Sequence, residues 1–173
     1  TDVVWAEPDL PVYASDASPV TPNDALFAAQ WDAWDTSLPS GGYSTRVPSA
    51  WNRTVGDKSV VVAVLDTGLT AHPDLTASVA APAATDPIVK GYDFVAGDPD
   101  NGGRTYYVAN DGNGRDADPS DPGDWITASD AAGSTAGGLF LNCYVDTSSW
   151  HGTHVTGTIV AKQGNSEGIT GIA

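Results

Sequence analysis

Three histidines occur in this chain of 173 residues, and two of them, His151 and His154, stand three apart in "SSWHGTHVTGTIVA", residues 148–161. On a helix that spacing puts them nearly one turn apart on the same side. Such a pair could be two ligands of one metal, a base beside a packing residue, or two ordinary polar residues. A zinc protease places Glu directly after the first His, in H-E-x-x-H, but here Gly152 occupies that position. Zinc is therefore disfavoured. A base needs a partner that fixes its tautomer. The most distinctive carboxylate is Asp66, which follows the apolar run Val60 to Leu65 in "SVVVAVLDTG", 59–68. Burying a carboxylate behind such a run costs free energy unless it receives hydrogen bonds. An imidazole N–H would supply one, and would leave the other ring nitrogen free to take a proton near neutral pH. Taken singly, Asp66 could cap a turn and His151 a helix.

Two elements would have to position the pair. The run at 59–68 is continuously apolar rather than alternating, which predicts a strand covered on both faces in a parallel sheet. Asp66 then sits at the carboxyl end of that strand, the edge where open α/β sheets do their chemistry. From Gly152 to about Lys162 the pattern is helical, with Val155, Ile159 and Val160 on the apolar side. Gly152 and Gly157 would allow close backbone approach. A shorter strand is expected at 81–93, around "IVKGYDFV", and another begins at "ITGIA". "TPNDALFAAQWDAW", 21–34, reads as a capped short helix or turn, and "VPSAWNRT", 47–54, as a helical segment. Residues 97–125 are too rich in Gly, Pro, Asp and Asn for regular structure, and a loop of that length points to a function.

The length suits about one domain, which would bury roughly 68–70% of its unfolded surface. Seven Lys and Arg stand against 22 Asp and Glu, a formal charge of -15. That balance opposes binding to nucleic acid or to an anionic membrane. No run of apolar residues is long enough to span a bilayer. The start, "TDVVWAEPDL", lacks the basic-then-apolar order of a signal peptide, as a mature secreted chain also would. The single Cys143 defines no internal disulfide; it is either a small buried hydrophobe or half of a bridge to another chain.

Taken together, "VVAVLDTGLTAHPDL" and "HGTHVTGTIVA" resemble the Asp and His signatures of the subtilisin-like serine proteases (subtilases), in that family's order of Asp before His. The resemblance runs from about Thr21 to Ala173. It implies a three-layer α/β/α fold with a mostly parallel sheet, incomplete in this chain. It implies Asp66 and His151 as catalytic residues, and His154 as a buried, hydrogen-bonded neighbour. The family's nucleophile lies in a later G-T-S-M-A/S motif. "GST" at 133–135 and the pair Ser148–Ser149 lack that context. The reading is thus the amino-terminal part (21–173) of the catalytic domain of a secreted, extracellular endopeptidase acting on proteins or peptides. Its Ser would be supplied by a segment beyond residue 173, and the isolated segment would be inactive. "VVWAEPD" resembles the closing strand of the family's inhibitory propeptide, so 1–20 is expected to be a propeptide remnant or an amino-terminal extension.

The resemblance also implies calcium. Asp74 and Asn165, with the carbonyls of Glu167 and Ile169, resemble ligands of the family's tight calcium site, and hard calcium takes six to eight such oxygens. "NDGNGRDADPSDPGDW", 110–125, resembles a calcium-binding insert, with Asp111, Asp116, Asp118, Asp121 and Asp124 as candidate ligands. It is not an EF-hand, since the distal Glu is missing; a solvated acidic loop is the other reading. Some subtilases with a similar "C…SSWHGTH" arrangement bridge that Cys to one just past the next strand. Cys143 is expected to make such a bridge, to the carboxy-terminal remainder or to a second chain carrying the Ser. Two other functions stay open: an inactive subtilase-like binding or scaffold module, and a calcium-stabilised extracellular structural domain.

Overall fold

A computed structural model describes residues 20–34, 43–95, 114–134, 138 and 140–173. The expected propeptide-like segment and the first half of the acidic insert, Asp111 included, lie outside the described residues. The chain divides into two units. In the first (1–21 and 31–55), helix α1 spans Val47–Trp51. Pro48 lies in its first turn, where a missing N–H costs nothing and the fixed φ favours the helix. Val47 and Trp51, four apart, are both buried, as are Pro48 and Ala33. Backbone bonds from Val47 to Ala33 (3.0 Å) and from Thr45 to Asp32 (2.7 Å) tie the helix to the 31–34 turn.

The second unit comprises 22–30 and 56–173. Its apolar centre is Leu69, Leu75, Val79 and Ala161, with Ile88, Val160 and Ile169 packed against it. Segment 22–30, which ends in a single 3₁₀ turn at Phe27–Ala29, is bound to the 164–170 loop along its length. Leu26 N–H donates to the Gly168 carbonyl at 2.8 Å. The Gln30 amide pairs with Thr170 in both directions, donating to its carbonyl at 2.9 Å and accepting from its N–H at 2.8 Å. Helix α2, Ala128–Ala131, is one turn held by a reciprocal Thr127–Asp130 capping box. It falls in a stretch whose small polar residues gave no periodic signal.

Helix α3 spans His151–Val160, one residue ahead of the expected start. Trp150 precedes it in the left-handed region (φ 50°). Past Ala161 the chain turns back along the helix, with Gly171, Ile172 and Ala173 donating to Ala161, Thr158 and Ile159. None of α1, α2 or α3 is long and apolar enough to cross a membrane.

Among the described residues no strand forms; there are only isolated bridges, Leu69 to Ser120, His72 to Thr76 and Asp93 to Asp116. The segment expected as the best strand is open to solvent, with Val60 70% and Leu65 90% exposed. An apolar run sets only a local preference for strand. The ladder needs a neighbour to receive its N–H and C=O groups, and the described residues supply none to Val61–Leu65. The other two expected strands do find partners, Asp93 with Asp116 and Gly171 to Ala173 with the end of α3, but these contacts are too few to make a ladder.

Candidate active site

The Asp66 side chain is 16% exposed on a residue that as a whole is open to solvent, while the side chain of His151 is 64% exposed. His151 Nδ1 stands 2.8 and 2.9 Å from the two Asp66 oxygens. A carboxylate accepts only, so Nδ1 donates and Nε2 is left as the acceptor. Thr67 N–H also donates to Asp66, at 2.8 Å. That bond first, and the His151 contact second, hold the Asp66 carboxyl below the usual carboxylate range. Asp66 is therefore ionised at neutral pH.

The two residues belong to separate segments, a bend and the start of α3, and the residues beside them carry the fastening. Thr67 Oγ1 accepts from Gly152 N–H at 3.0 Å, satisfying one of the orphan donors in the first turn of α3. One step along, Thr153 Oγ1 accepts from Thr70 N–H at 2.8 Å. Gly152 is buried against the backbone of Gly68, so closely that a Cβ there would collide with the Gly68 carbonyl oxygen. Thr67 and Thr153 were not singled out from the sequence; the only signal for them is a Thr immediately after Asp66 and another two after His151.

The candidate calcium ligands separate into two groups. Asp116, Asp118, Asp121 and Asp124 are not gathered around one point. Asp116 accepts from Asp118 N–H (2.7 Å) and Asp118 from the Ser120 hydroxyl (2.6 Å). Asp121, 8% exposed, accepts from Gly123 N–H and from the Thr67 hydroxyl, each at 2.8 Å. Asp124 accepts from Ser149 N–H (2.6 Å) and Oγ (2.8 Å), and these bonds hold its carboxyl below the usual range. Among the described residues, no group of three or more His, Cys, Asp or Glu is placed to hold a metal ion.

The 74/165 group is brought together. Asp74, 2% exposed, accepts from Asn165 Nδ2 at 2.7 Å and from Ile169 N–H at 3.0 Å. Glu167 N–H donates to Asn165 Oδ1 at 2.9 Å. Asp24, also buried and not foreseen from the sequence, accepts from Asn165 N–H at 3.1 Å and Gly164 N–H at 2.9 Å. Two buried carboxylates bonded to one Asn match the hard oxygen donors that calcium takes. Here protein N–H groups, and for Asp24 also the Thr170 hydroxyl, satisfy them.

His154 is exposed, not buried as the resemblance implied, and lines an apolar cavity of ≈ 170 Å³ with His72, Leu75 and Ile169. His72 serves a turn, its Nδ1 accepting from Asp74 N–H at 3.2 Å. The serines near the site are committed elsewhere: Ser149 to Asp124, and Ser134 to Ser129. Cys143 is exposed and unbridged.

Comparison with known proteins adds a family. Residues 57–173 match the model of the subtilase family. An extracellular protease of Xanthomonas campestris is 39% identical over 155 residues, 89% of this chain and 21% of that protein. The protease 2 small chain of Achromobacter lyticus is 40% identical over 76 residues, 44% of this chain and all of that one. Among solved structures, one of the proteases from Pseudoalteromonas arctica superposes with a TM-score of 0.59 at 37% identity, covering 88% of this chain and 35% of that one. The chain thus spans about a fifth of the length of the Xanthomonas relative.

Proposed function

The chain belongs to the subtilase family, and we propose that it is the amino-terminal part of the catalytic domain of a secreted serine endopeptidase. Asp66 and His151 are then two members of an Asp–His–Ser triad whose Ser lies in a segment beyond residue 173. The observation that carries this reading is His151 Nδ1 at 2.8 and 2.9 Å from both oxygens of Asp66. That contact leaves Nε2 as a base on a largely exposed ring. His151 Nε2 takes the Ser proton as Oγ attacks the peptide carbonyl, then gives it to the leaving amine as the C–N bond breaks. Water repeats the cycle on the acyl-enzyme, and Asp66 stabilises the imidazolium formed each time. The name of the Xanthomonas relative supports an extracellular setting.

Val60–Leu65 would become a strand of the family's three-layer α/β/α sheet once the carboxy-terminal remainder covers it. The Achromobacter name, which denotes a separate small chain, supports a remainder carried as a second chain, joined through Cys143. Calcium would be held by Asp74 and Asn165, with carbonyls of Glu167 and Ile169 and with Asp24 beside them. When bound it would fix the 164–170 loop to the 22–30 segment and take no part in the proton transfers.

The test is a fluorophosphonate label on the full-length protein, together with hydrolysis of a small peptide amide. One labelled Ser beyond residue 173, with Asp66→Asn lowering kcat by roughly 10³–10⁴-fold, supports the triad. An unlabelled protein would instead be an inactive module, and a loss under about tenfold in Asp66→Asn would remove Asp66 from the mechanism.

A further inference from the structure

We propose that Asp121 is a positioning residue for the Asp66–His151 pair, acting through the Thr67 hydroxyl on the first turn of α3. This rests on the reading of that pair as catalytic. Asp121 belongs to the acidic stretch considered above for calcium, but both of its oxygens are already engaged, one by Gly123 N–H and one by Thr67 Oγ1. It is 8% exposed, so losing either bond would leave a buried acceptor unsatisfied.

The direction of each bond follows from the carboxylate. Asp121 can only accept, so Thr67 must spend its one hydroxyl proton on it at 2.8 Å. The Thr67 oxygen lone pairs are thereby turned to Gly152 N–H, 3.0 Å away. Thr67 N–H meanwhile donates to Asp66. One residue thus touches the carboxylate of the pair and the backbone next to the imidazole, and Asp121 holds that residue in place.

The backbone around Asp121 is fixed as well. Leu69 N–H donates to the Pro119 carbonyl at 3.0 Å and Asp121 N–H to the Leu69 carbonyl at 2.9 Å, either side of the parallel Leu69–Ser120 bridge. Gly68 (φ 111°) passes so close to this segment that a Cβ would stand 2.9 Å from the Pro119 oxygen. Segment 66–70 is therefore clamped between 119–121 on one side and the start of α3 on the other. The same loop reaches α3 a second time through Asp124, whose oxygens take Ser149 N–H and Oγ two residues before His151.

The experiment uses the full-length protein and reads kcat and KM separately on a small peptide amide, per folded molecule. Thr67→Val removes the hydroxyl at nearly constant volume and is expected to lower kcat about 10- to 100-fold, since a misplacement near 1 Å costs roughly 10²-fold. KM is expected to stay within about threefold, because the link contacts no substrate. Thr67→Ser keeps the link and should restore kcat to within about threefold of the parent. Asp121→Ala should match Thr67→Val, and the double variant should be no worse than either single one, because both remove the same path. Lowered melting temperatures with unchanged kcat, or losses that simply multiply, would overturn the proposal. If Asp121→Ala does not fold, the Thr67 pair decides alone. Asp66→Asn in the same assay separates the two readings. If it is also fully active, the catalytic assignment fails and this inference with it. If Asp66→Asn is inactive while Thr67→Val keeps full kcat, only the role of Asp121 falls.

Discussion

Gly152→Ala should destabilise the protein although it replaces glycine inside a helix. In an open helix the change would stabilise by about 1 kcal/mol through propensity. Here the added Cβ would press on the carbonyl oxygen, nitrogen and carbonyl carbon of Gly68, all backbone atoms with no rotamer to yield. Relief requires moving the first turn of α3 away from segment 66–70. Overpacking of this kind costs about 1–3 kcal/mol. The same movement stretches the bond between Gly152 N–H and Thr67 Oγ1, worth about 1 kcal/mol. Set against the propensity gain, the net loss is about 1–3 kcal/mol. Gly157→Ala in the same helix is the control. Its Cβ would meet only the Ile169 side chain, at 3.4 Å, an ordinary contact, so the propensity gain of up to about 1 kcal/mol should survive. Urea unfolding of the full-length protein measures both through the shift in midpoint at constant slope. A Gly152→Ala protein as stable as the parent, or a Gly157→Ala protein less stable than Gly152→Ala, would refute the close approach of α3 to Gly68.

Three further outcomes are expected. Excess calcium should raise the melting temperature of the full-length protein relative to chelator at fixed ionic strength, by linkage to the folded state; equal midpoints would leave Asp24 and Asp74 satisfied by protein donors alone. Acid should lower the stability of the protein. Asp66, Asp86 and Asp124 are held below the usual range, chiefly by Thr67 N–H, the Thr76 hydroxyl and Ser149 N–H. A lowered folded pKa contributes stability that is complete above the unfolded value, about 3.9, and is lost as pH falls through the folded one; a urea midpoint unchanged between about pH 6 and 3 would contradict it. Cys143, exposed and unbridged within this chain, should prove disulfide-bonded in the full-length protein. Mass spectrometry with and without reductant reads this, and an alkylatable Cys143 in unreduced, denatured protein would end the idea.

The sequence by itself singled out the pair. An apolar run ending in Asp66, and a helical pattern opening at His151, identify a carboxylate and an imidazole with no need of coordinates, because side-chain type and period are local properties. It also determined α1 and α3, whose spacing and Pro placement are local too. Tertiary structure decided what holds the pair. Nothing in "DTG" or "SDPGD" says that Thr67 Oγ1 joins Asp121 to Gly152, since residues 54 and 85 positions away along the chain come together only when their backbones pack. It decided that Asp116, Asp118, Asp121 and Asp124 spend their carboxylates on separate N–H and O–H donors. It also brought Asp24 to the loop of Asn165, a long-range contact with no periodic signature. The apolar run at 60–65 reads as a strand in sequence but stands unpaired among the described residues. A strand is a relation between two segments of backbone, and one segment can specify only its own half.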